Sequence, residues 1–244
     1  MEKIQVYLVQ GPSCSGKTTL SKYLYNKLIS IDIPTVLLST DMYYKTFKDK
    51  LTYDKIIGYD FDNPAALNWD ALSDTFKAYG TRQREIPISS YSFQTKKQEI
   101  FKIDNIYPKV IILEGIYSFN LFSKKFFNIK EFSCYKATNQ TIKNEFIDNP
   151  FNLEKYFNVI RIMLKFDKEQ IKDLRFERDL KEKRMTCLEN AKEFVETKFE
   201  TMIWPATKRW IYHSNFTYDL LIKDGSFNKD ACEIVCNGIL RKQD

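Results

Sequence analysis

Gly11-Pro12-Ser13-Cys14-Ser15-Gly16-Lys17-Thr18 is the stretch that most restricts what this 244-residue chain can fold into. It matches G-x-x-x-x-G-K-[ST] at every fixed position. Glycines let the backbone curl so that successive N–H groups point inward. A helix starting on the loop adds its positive end at the same place. The pattern carries this meaning only between a strand and a helix, and both flanks are present. Ile4–Val9 is a short β-branched run, and residues from Lys17 to about Leu28 have helical spacing. The loop then reads as a phosphate cradle made by Gly11, Ser13, Cys14, Ser15, Gly16, Lys17, Thr18 and Thr19. Lys17 would reach the β- and γ-phosphates of ATP, and the Thr18 hydroxyl would hold Mg²⁺.

The rest of the chain fits around that unit. Thr35–Ser39 predicts a second strand, and Pro64–Ala78 a helix that stops at Gly80. Glu85–Phe93 and Glu99–Ile103 predict the arms of a hairpin, within about 82–107. Val110–Leu113 is wholly apolar, as expected of a strand buried on both faces. Residues 118–157, rich in Phe, Lys and Asn, read as a partly helical insertion remote from the chemistry, with Phe119, Phe122, Phe126 and Phe127 on a helix face or at a subunit contact. Val159–Leu164 and Tyr218–Ile222 predict further strands. Lys168–Arg184, Asn190–Tyr212 and Lys229–Leu240 predict helices. Strands alternating with helices give an α/β fold, with a parallel sheet covered on both faces. A single domain over 1–244 is expected, with ligands at the carboxyl ends of the strands.

Composition narrows the chemistry. A net charge of +6 suits an anionic ligand such as ATP, but the Lys and Arg are scattered and no nucleic-acid partner is implied. The five cysteines are odd in number and widely spaced, which favours free thiols over a disulfide framework. Cys232 and Cys236 share a helix face and read as buried packing residues. With His213 as the single histidine, acid–base work falls to carboxylates. The apolar runs are too short to span a membrane, and residues 1–6 do not resemble a signal or transit peptide; a cytoplasmic location is the expectation.

Among phosphate-binding classes, a GTPase would need a D-x-x-G switch and an N-K-x-D base reader. Asp54-Lys55-Ile56-Ile57-Gly58 and Asn26-Lys27-Leu28-Ile29 fit neither. A motor or transporter ATPase would usually end its central strand in Asp-Glu; here it ends Leu113-Glu114-Gly115. A small-molecule kinase is the class that fits. Asp41 follows the second strand, where a carboxylate can either take the proton of an attacking hydroxyl or cap a turn.

Further blocks resemble the uridine kinase family, within the wider phosphoribulokinase/uridine kinase group. Asp41-Met42-Tyr43-Tyr44-Lys45 is similar to the segment carrying that family's catalytic Asp. Tyr59-Asp60-Phe61-Asp62-Asn63-Pro64 resembles its F-D-H-P block, and Ile86–Phe93 its substrate hairpin. Val110–Ile116 resembles its central strand, and Arg175-Phe176-Glu177-Arg178-Asp179 the R-x-x-R-D of its lid, here about 172–190. Trp204-Pro205-Ala206 and Tyr218–Ile222 resemble its last helix and strand.

The resemblance implies roles. Asp41 becomes the general base for a ribose 5′-hydroxyl, with Lys17 on the phosphates. Asp62 and Arg175 hold the ribose hydroxyls. Glu114 joins Thr18 around Mg²⁺, and Arg178 and Lys183 cover the phosphates. Tyr44, Phe61, Tyr91 and Gln94 surround the nucleobase, and the assembly is a dimer or tetramer. On residue type alone, Phe61 and Tyr91 also suit a core, and Arg175 and Arg178 a solvated helix face. The implied reaction is transfer of the ATP γ-phosphate to uridine or cytidine. The chain departs from the family pattern at Ser89, Asn63, Gln94 and Glu182-Lys183-Arg184-Met185. Those departures keep open a kinase for nicotinamide riboside, pantothenate or a sugar phosphate. A non-catalytic nucleotide binder is the third alternative.

Overall fold

A computed structural model describes residues 2–49, 58–135, 142–181, 196–212 and 217–240. The sequence alternation becomes a five-stranded parallel sheet. Its strands are β1 (Ile4–Gln10), β2 (Thr35–Ser39), β5 (Val110–Gly115), β8 (Phe157–Lys165) and β9 (Leu220–Lys223), in the spatial order β2-β5-β1-β8-β9. A hairpin of β3 (Glu85–Ser92) and β4 (Lys97–Asp104) and a short antiparallel pair, β6 (Lys125–Phe127) with β7 (Phe146–Asp148), stand outside it.

Alternation along the central strands feeds two cores. Tyr7 and Val9 of β1 and Val110 and Ile112 of β5 pack against helix α1 (Lys17–Ile29) and helix α4 (Lys229–Leu240). Cys232 and Cys236 are buried in that layer. Val6, Leu8, Ile111 and Leu113 point the other way, onto helix α2 (Trp69–Gly80), the hairpin and segment 118–157. Both faces of β5 are therefore dry, and all six of its residues are buried.

Register aligns the strand ends. Val9 pairs with Glu114 and Gln10 with Gly115, while Ser39 pairs with Glu114 on the other side. The loops after β1, β2 and β5 thus leave the sheet at one level. Gly115 sits where these loops meet: a Cβ there would come within 1.8 Å of the Thr40 hydroxyl oxygen.

Three elements differ from their sequence reading. The stretch expected to be helical from Pro64 breaks at Leu67, which pairs with Tyr44 in extended form. A short turn (Pro64–Ala66) capped by Asn63 precedes the break, and Asn68 caps α2 after it. Each Asn accepts a backbone N–H, so the chain restarts the helix rather than continuing it. The described part of 118–157 is not helical beyond the short turn Asn120–Phe122. Its Phe119, Phe122, Phe126 and Phe127 are not surface residues but fully buried in the main core. Glu145 ties the same segment to the molecule by accepting hydrogen bonds from Arg209 (Nε, 2.7 Å) and Trp210 (Nε1, 2.5 Å). The helical stretch through Pro205 widens into π-type turns at Phe199–Ile203 and Thr207–Ile211. Proline lacks an N–H and crowds the carbonyl four residues back, and wider turns relieve both. No described helix is long and apolar enough to cross a membrane.

Candidate active site

The sheet's carboxyl edge opens into a cavity of about 360 Å³, within the range of small-ligand sites. One end is backbone-built. Gly16 caps α1 in the left-handed region, at φ 83°, and Cys14 also has a positive φ. Gly11 opens the loop against the Leu164 carbonyl of β8. Ser15 is buried with its hydroxyl unpartnered among the described residues, and the Ser226 N–H donates to the Ser15 carbonyl at 3.1 Å, bracing the loop from outside. Ser13, Cys14, Gly16, Lys17, Thr18 and Thr19 line the cavity.

Lys17 is 8% exposed and its ammonium donates to the Pro12 carbonyl at 2.8 Å. Burial lowers its pKa, while Glu114 and Asp41 push the other way. Glu114 shows the reverse balance: burial raises it, Lys17 opposes, and Asp41 adds to the rise. The Thr18 hydroxyl donates to Glu114 Oε1 at 3.2 Å. The Thr18 hydroxyl and the desolvated Glu114 carboxylate, side by side, offer hard oxygen donors of the kind Mg²⁺ takes. The residues fit the ion.

Asp41 lies in a short turn, Thr40–Tyr43, but does not cap it. Ser39 is the cap and accepts the Asp41 N–H at 3.2 Å. The Asp41 carboxylate is left to face the cavity.

The opposite end is built from side chains of distant elements. Helix α3 (Lys168–Lys181) lies across the cavity and is fastened at two points. Arg178 donates to the Ser13 hydroxyl at 2.8 Å, on the phosphate loop. Arg175 grips Asp62 with two hydrogen bonds of 3.0 Å. Both side chains of that pair are nearly buried, 11% and 9% exposed. This is not the solvated face that the charge pattern of α3 allowed. Burial is the largest influence on Asp62 and would raise it, but Arg175, through its charge and hydrogen bonds, together with Lys198 and Arg178 holds the carboxyl below its ordinary range.

Tyr44, Phe61 and Phe93 supply the apolar wall, with Tyr44 edge-on to Phe61 at 6.1 Å and to Phe93 at 5.6 Å. Tyr91 packs behind them, 5.4 Å from Tyr44, and does not line the cavity. Gln94 is placed against expectation: it is exposed at the hairpin tip and does not line the cavity. At this tip, where Lys96 has φ 55°, Phe93 lines the cavity while its neighbour Gln94 is exposed. Ser89 is buried, and its hydroxyl accepts from Gln98 at 3.1 Å. Lys183 lies outside the described residues.

Sequence reasoning missed Phe93, Ile116 and Leu174, which line the cavity, and four further groups. Ser226 and Phe227 line the phosphate end, on the loop after β9; their place after a strand's carboxyl end was the available signal. Asp60 and Lys198 stand behind Asp62. Asp60 Oδ1 accepts the Asp62 N–H at 2.9 Å, while its other carboxylate oxygen is buried without a partner among the described residues. Lys198 comes from the far C-terminal helical stretch, and nothing local in sequence marks it.

Comparison with known proteins gives the family and the fold. Residues 6–144 match the family described as Phosphoribulokinase / Uridine kinase. Proteins named Uridine kinase are similar along the chain. The one from Schizosaccharomyces pombe is 26% identical over 98% of this chain and 44% of its own length. The one from Mycoplasma genitalium is 31% identical over 57% of this chain and 62% of its own length. For the Anoxybacillus flavithermus protein the figures are 25%, 95% and 91%. The chain thus spans less than two thirds of the first two relatives. Among solved structures, a protein assigned as a fructose transport system kinase from Silicibacter sp. TM1040 superposes with a TM-score of 0.61 at 16% identity, covering 91% of both chains. A D-glycerate 3-kinase from Cryptococcus neoformans gives 0.52 at 15%, covering 92% of this chain and 87% of its own. These likenesses concern the fold: a P-loop kinase architecture.

Proposed function

The chain belongs to the Phosphoribulokinase / Uridine kinase family, and from that premise we propose that it is an ATP-dependent nucleoside kinase, phosphorylating the 5′-hydroxyl of uridine or cytidine. One observation carries the reading. Lys17, Thr18 and Glu114 at one end of a single cavity face the Asp62–Arg175 pair at the other, and Asp41 lines the same space.

The ribose 2′- and 3′-hydroxyls donate to Asp62, whose carboxylate oxygens keep lone pairs beyond those used by Arg175. The 5′-hydroxyl then donates to Asp41. As its oxygen bonds to the γ-phosphorus and the bond to the ADP oxygen breaks, the proton passes to Asp41. Lys17 and Arg178 neutralise the charge gathering on the transferring group, which is where most of the catalysis in such reactions lies. Thr18 and Glu114 would hold the Mg²⁺, which supplies charge neutralisation on the β- and γ-oxygens. The aromatic wall of Tyr44, Phe61 and Phe93 gives a nucleobase a surface to stack on.

A second reading rests on the hairpin. The Ser89 hydroxyl is engaged by Gln98 and Gln94 points outward, so β3–β4 offers little polar base recognition. A kinase for another hydroxyl compound would tolerate that. A screen of Mg-ATP consumption against uridine, cytidine, other nucleosides, pantothenate and D-glycerate tests the two. Turnover with a pyrimidine nucleoside supports the first; turnover only with a non-nucleoside overturns it.

A further inference from the structure

Arg175 and Arg178 both line the cavity, and one carboxylate behind them bears on both. Asp179 Oδ1 accepts from Arg178 Nε at 3.0 Å and from Arg178 Nη2 at 2.7 Å. Its other oxygen, Oδ2, lies 3.7 Å from Arg175 Nε, one helical turn earlier, as an ion pair rather than a hydrogen bond. Asp179 itself does not line the cavity, and its side chain is 13% exposed. Neighbours in sequence do not face each other on a helix, so α3 alone does not aim Arg178 toward Asp179. The two bonds to Oδ1 hold the Arg178 guanidinium by one edge. The remaining Nη1 points at the phosphate loop, where it donates to Ser13. Arg175 has both terminal nitrogens on Asp62, and the charge of Asp179 lies on its Nε side. Bonds between a guanidinium and a carboxylate are roughly twice as strong as neutral ones.

Resting on the roles proposed above for these arginines, we propose that Asp179 is a positioning residue for phosphoryl transfer, a single carboxylate that orients the cations at both ends of the cleft. Oδ1 fixes Arg178 for the transferring phosphate. Oδ2 steadies Arg175, which in turn holds Asp62 for the acceptor. The gain is preorganisation. A long side chain free to swing must be ordered in every turnover, and a displacement of about 1 Å at the reacting centre costs roughly 10²-fold in rate. The two oxygens separate the two duties. Asp179→Asn keeps an acceptor in the place of Oδ1, so Arg178 retains its bonds in neutral form, while the amide nitrogen turns a donor toward Arg175 Nε. Asp179→Ala removes both.

The test is steady-state kinetics with Mg-ATP and uridine or cytidine on the wild-type chain, Asp179→Ala, Asp179→Asn, Arg178→Ala and the double variant of Arg178→Ala with Asp179→Ala. Asp179→Ala lowers kcat roughly 10- to 100-fold and raises the nucleoside KM. Asp179→Asn raises that KM roughly 10-fold and leaves kcat within about threefold of wild type. In the Arg178→Ala background, adding Asp179→Ala changes kcat by no more than about twofold, because the partner is already gone, yet the nucleoside KM still rises through Arg175. Equal kcat losses with and without Arg178, or a nucleoside KM unchanged in both Asp179 variants, would overturn the proposal while leaving the nucleoside assignment standing. If the wild type turns over neither nucleoside, that assignment falls, and calorimetric binding of Mg²⁺ with the non-hydrolysable analogue AMP-PNP decides for Asp179. A Kd roughly 10-fold weaker in Asp179→Ala, with no such loss in the Arg178→Ala background, supports the proposal; an unchanged Kd overturns it. Should Asp179→Ala not fold, Asp179→Asn keeps the test: its loss must fall on the nucleoside KM, and a loss confined to kcat, or none at all, would contradict the role.

Discussion

The two ends of the cleft are made by different means. At the phosphate end, eight consecutive residues form a loop whose shape follows from its glycines and from the strand and helix beside it. At the acceptor end, Tyr44, Asp62, Phe93 and Arg175 come from four elements spread over more than half the chain. On the proposed reading, the first end offers backbone and a few charges, which any nucleoside triphosphate would satisfy. The second offers side chains whose positions depend on the whole fold, and there the chain departs from its family's pattern. The proposed phosphate chemistry and the proposed substrate choice are then held apart in space, joined by α3, whose Arg178 touches one end and Arg175 the other.

This contrast predicts where substitutions bite. Asp41→Asn removes a base while keeping the side chain's size, so kcat should fall roughly 10²- to 10⁴-fold with ATP affinity unchanged or slightly improved. A loss confined to KM would move the base elsewhere. Lys17→Ala should lower kcat by roughly 10²–10³ and spare the acceptor KM; near-normal turnover would break the division of labour at the phosphate end. Asp62→Asn should instead raise the acceptor KM about 10- to 100-fold with a smaller change in kcat. Equal kcat losses in Asp41→Asn and Asp62→Asn would erase the distinction between a reacting and a holding carboxylate.

The smallest effect is on stability. Burial pushes Asp60 up to about 7, Asp62 adds to the rise and Lys198 opposes it. Because this folded value exceeds the unfolded carboxylate value, the folded state binds the extra proton between about pH 4 and 7, and stability falls as pH climbs through that window. Asp60→Asn keeps an acceptor for the Asp62 N–H and cannot ionise. Its Tm relative to wild type should therefore rise between pH 5 and pH 8, by a few degrees. A difference that does not vary with pH would mean that Asp60 is charged throughout.

The same division governs what could be read from sequence. Local spacing marks the phosphate loop, and strand ends place Asp41 and Glu114 beside it; the roles proposed for those two carboxylates came through resemblance. The sheet followed from alternation, with β5 marked by its unbroken apolar run. Asp62 and Arg175 were reached through resemblance, and their bidentate contact needed the fold. Gln94 was misplaced because residue type does not report which of two neighbours at a hairpin tip faces inward; here it is Phe93. The aromatics of segment 118–157 were misread because Phe density without periodicity does not reveal which surface it covers; here that surface is the main core. Nothing local marks Lys198, whose ammonium lies 5.7 Å from the Phe61 ring, far away along the chain.

The account stands most directly on where the phosphate goes. Wild-type protein incubated with uridine and Mg-ATP, with the products resolved by ³¹P NMR, should yield ADP and a nucleotide phosphorylated on the 5′-oxygen. ADP with inorganic phosphate alone, or phosphate on the 2′- or 3′-oxygen, would contradict it, the latter by putting Asp62 rather than Asp41 at the reacting atom.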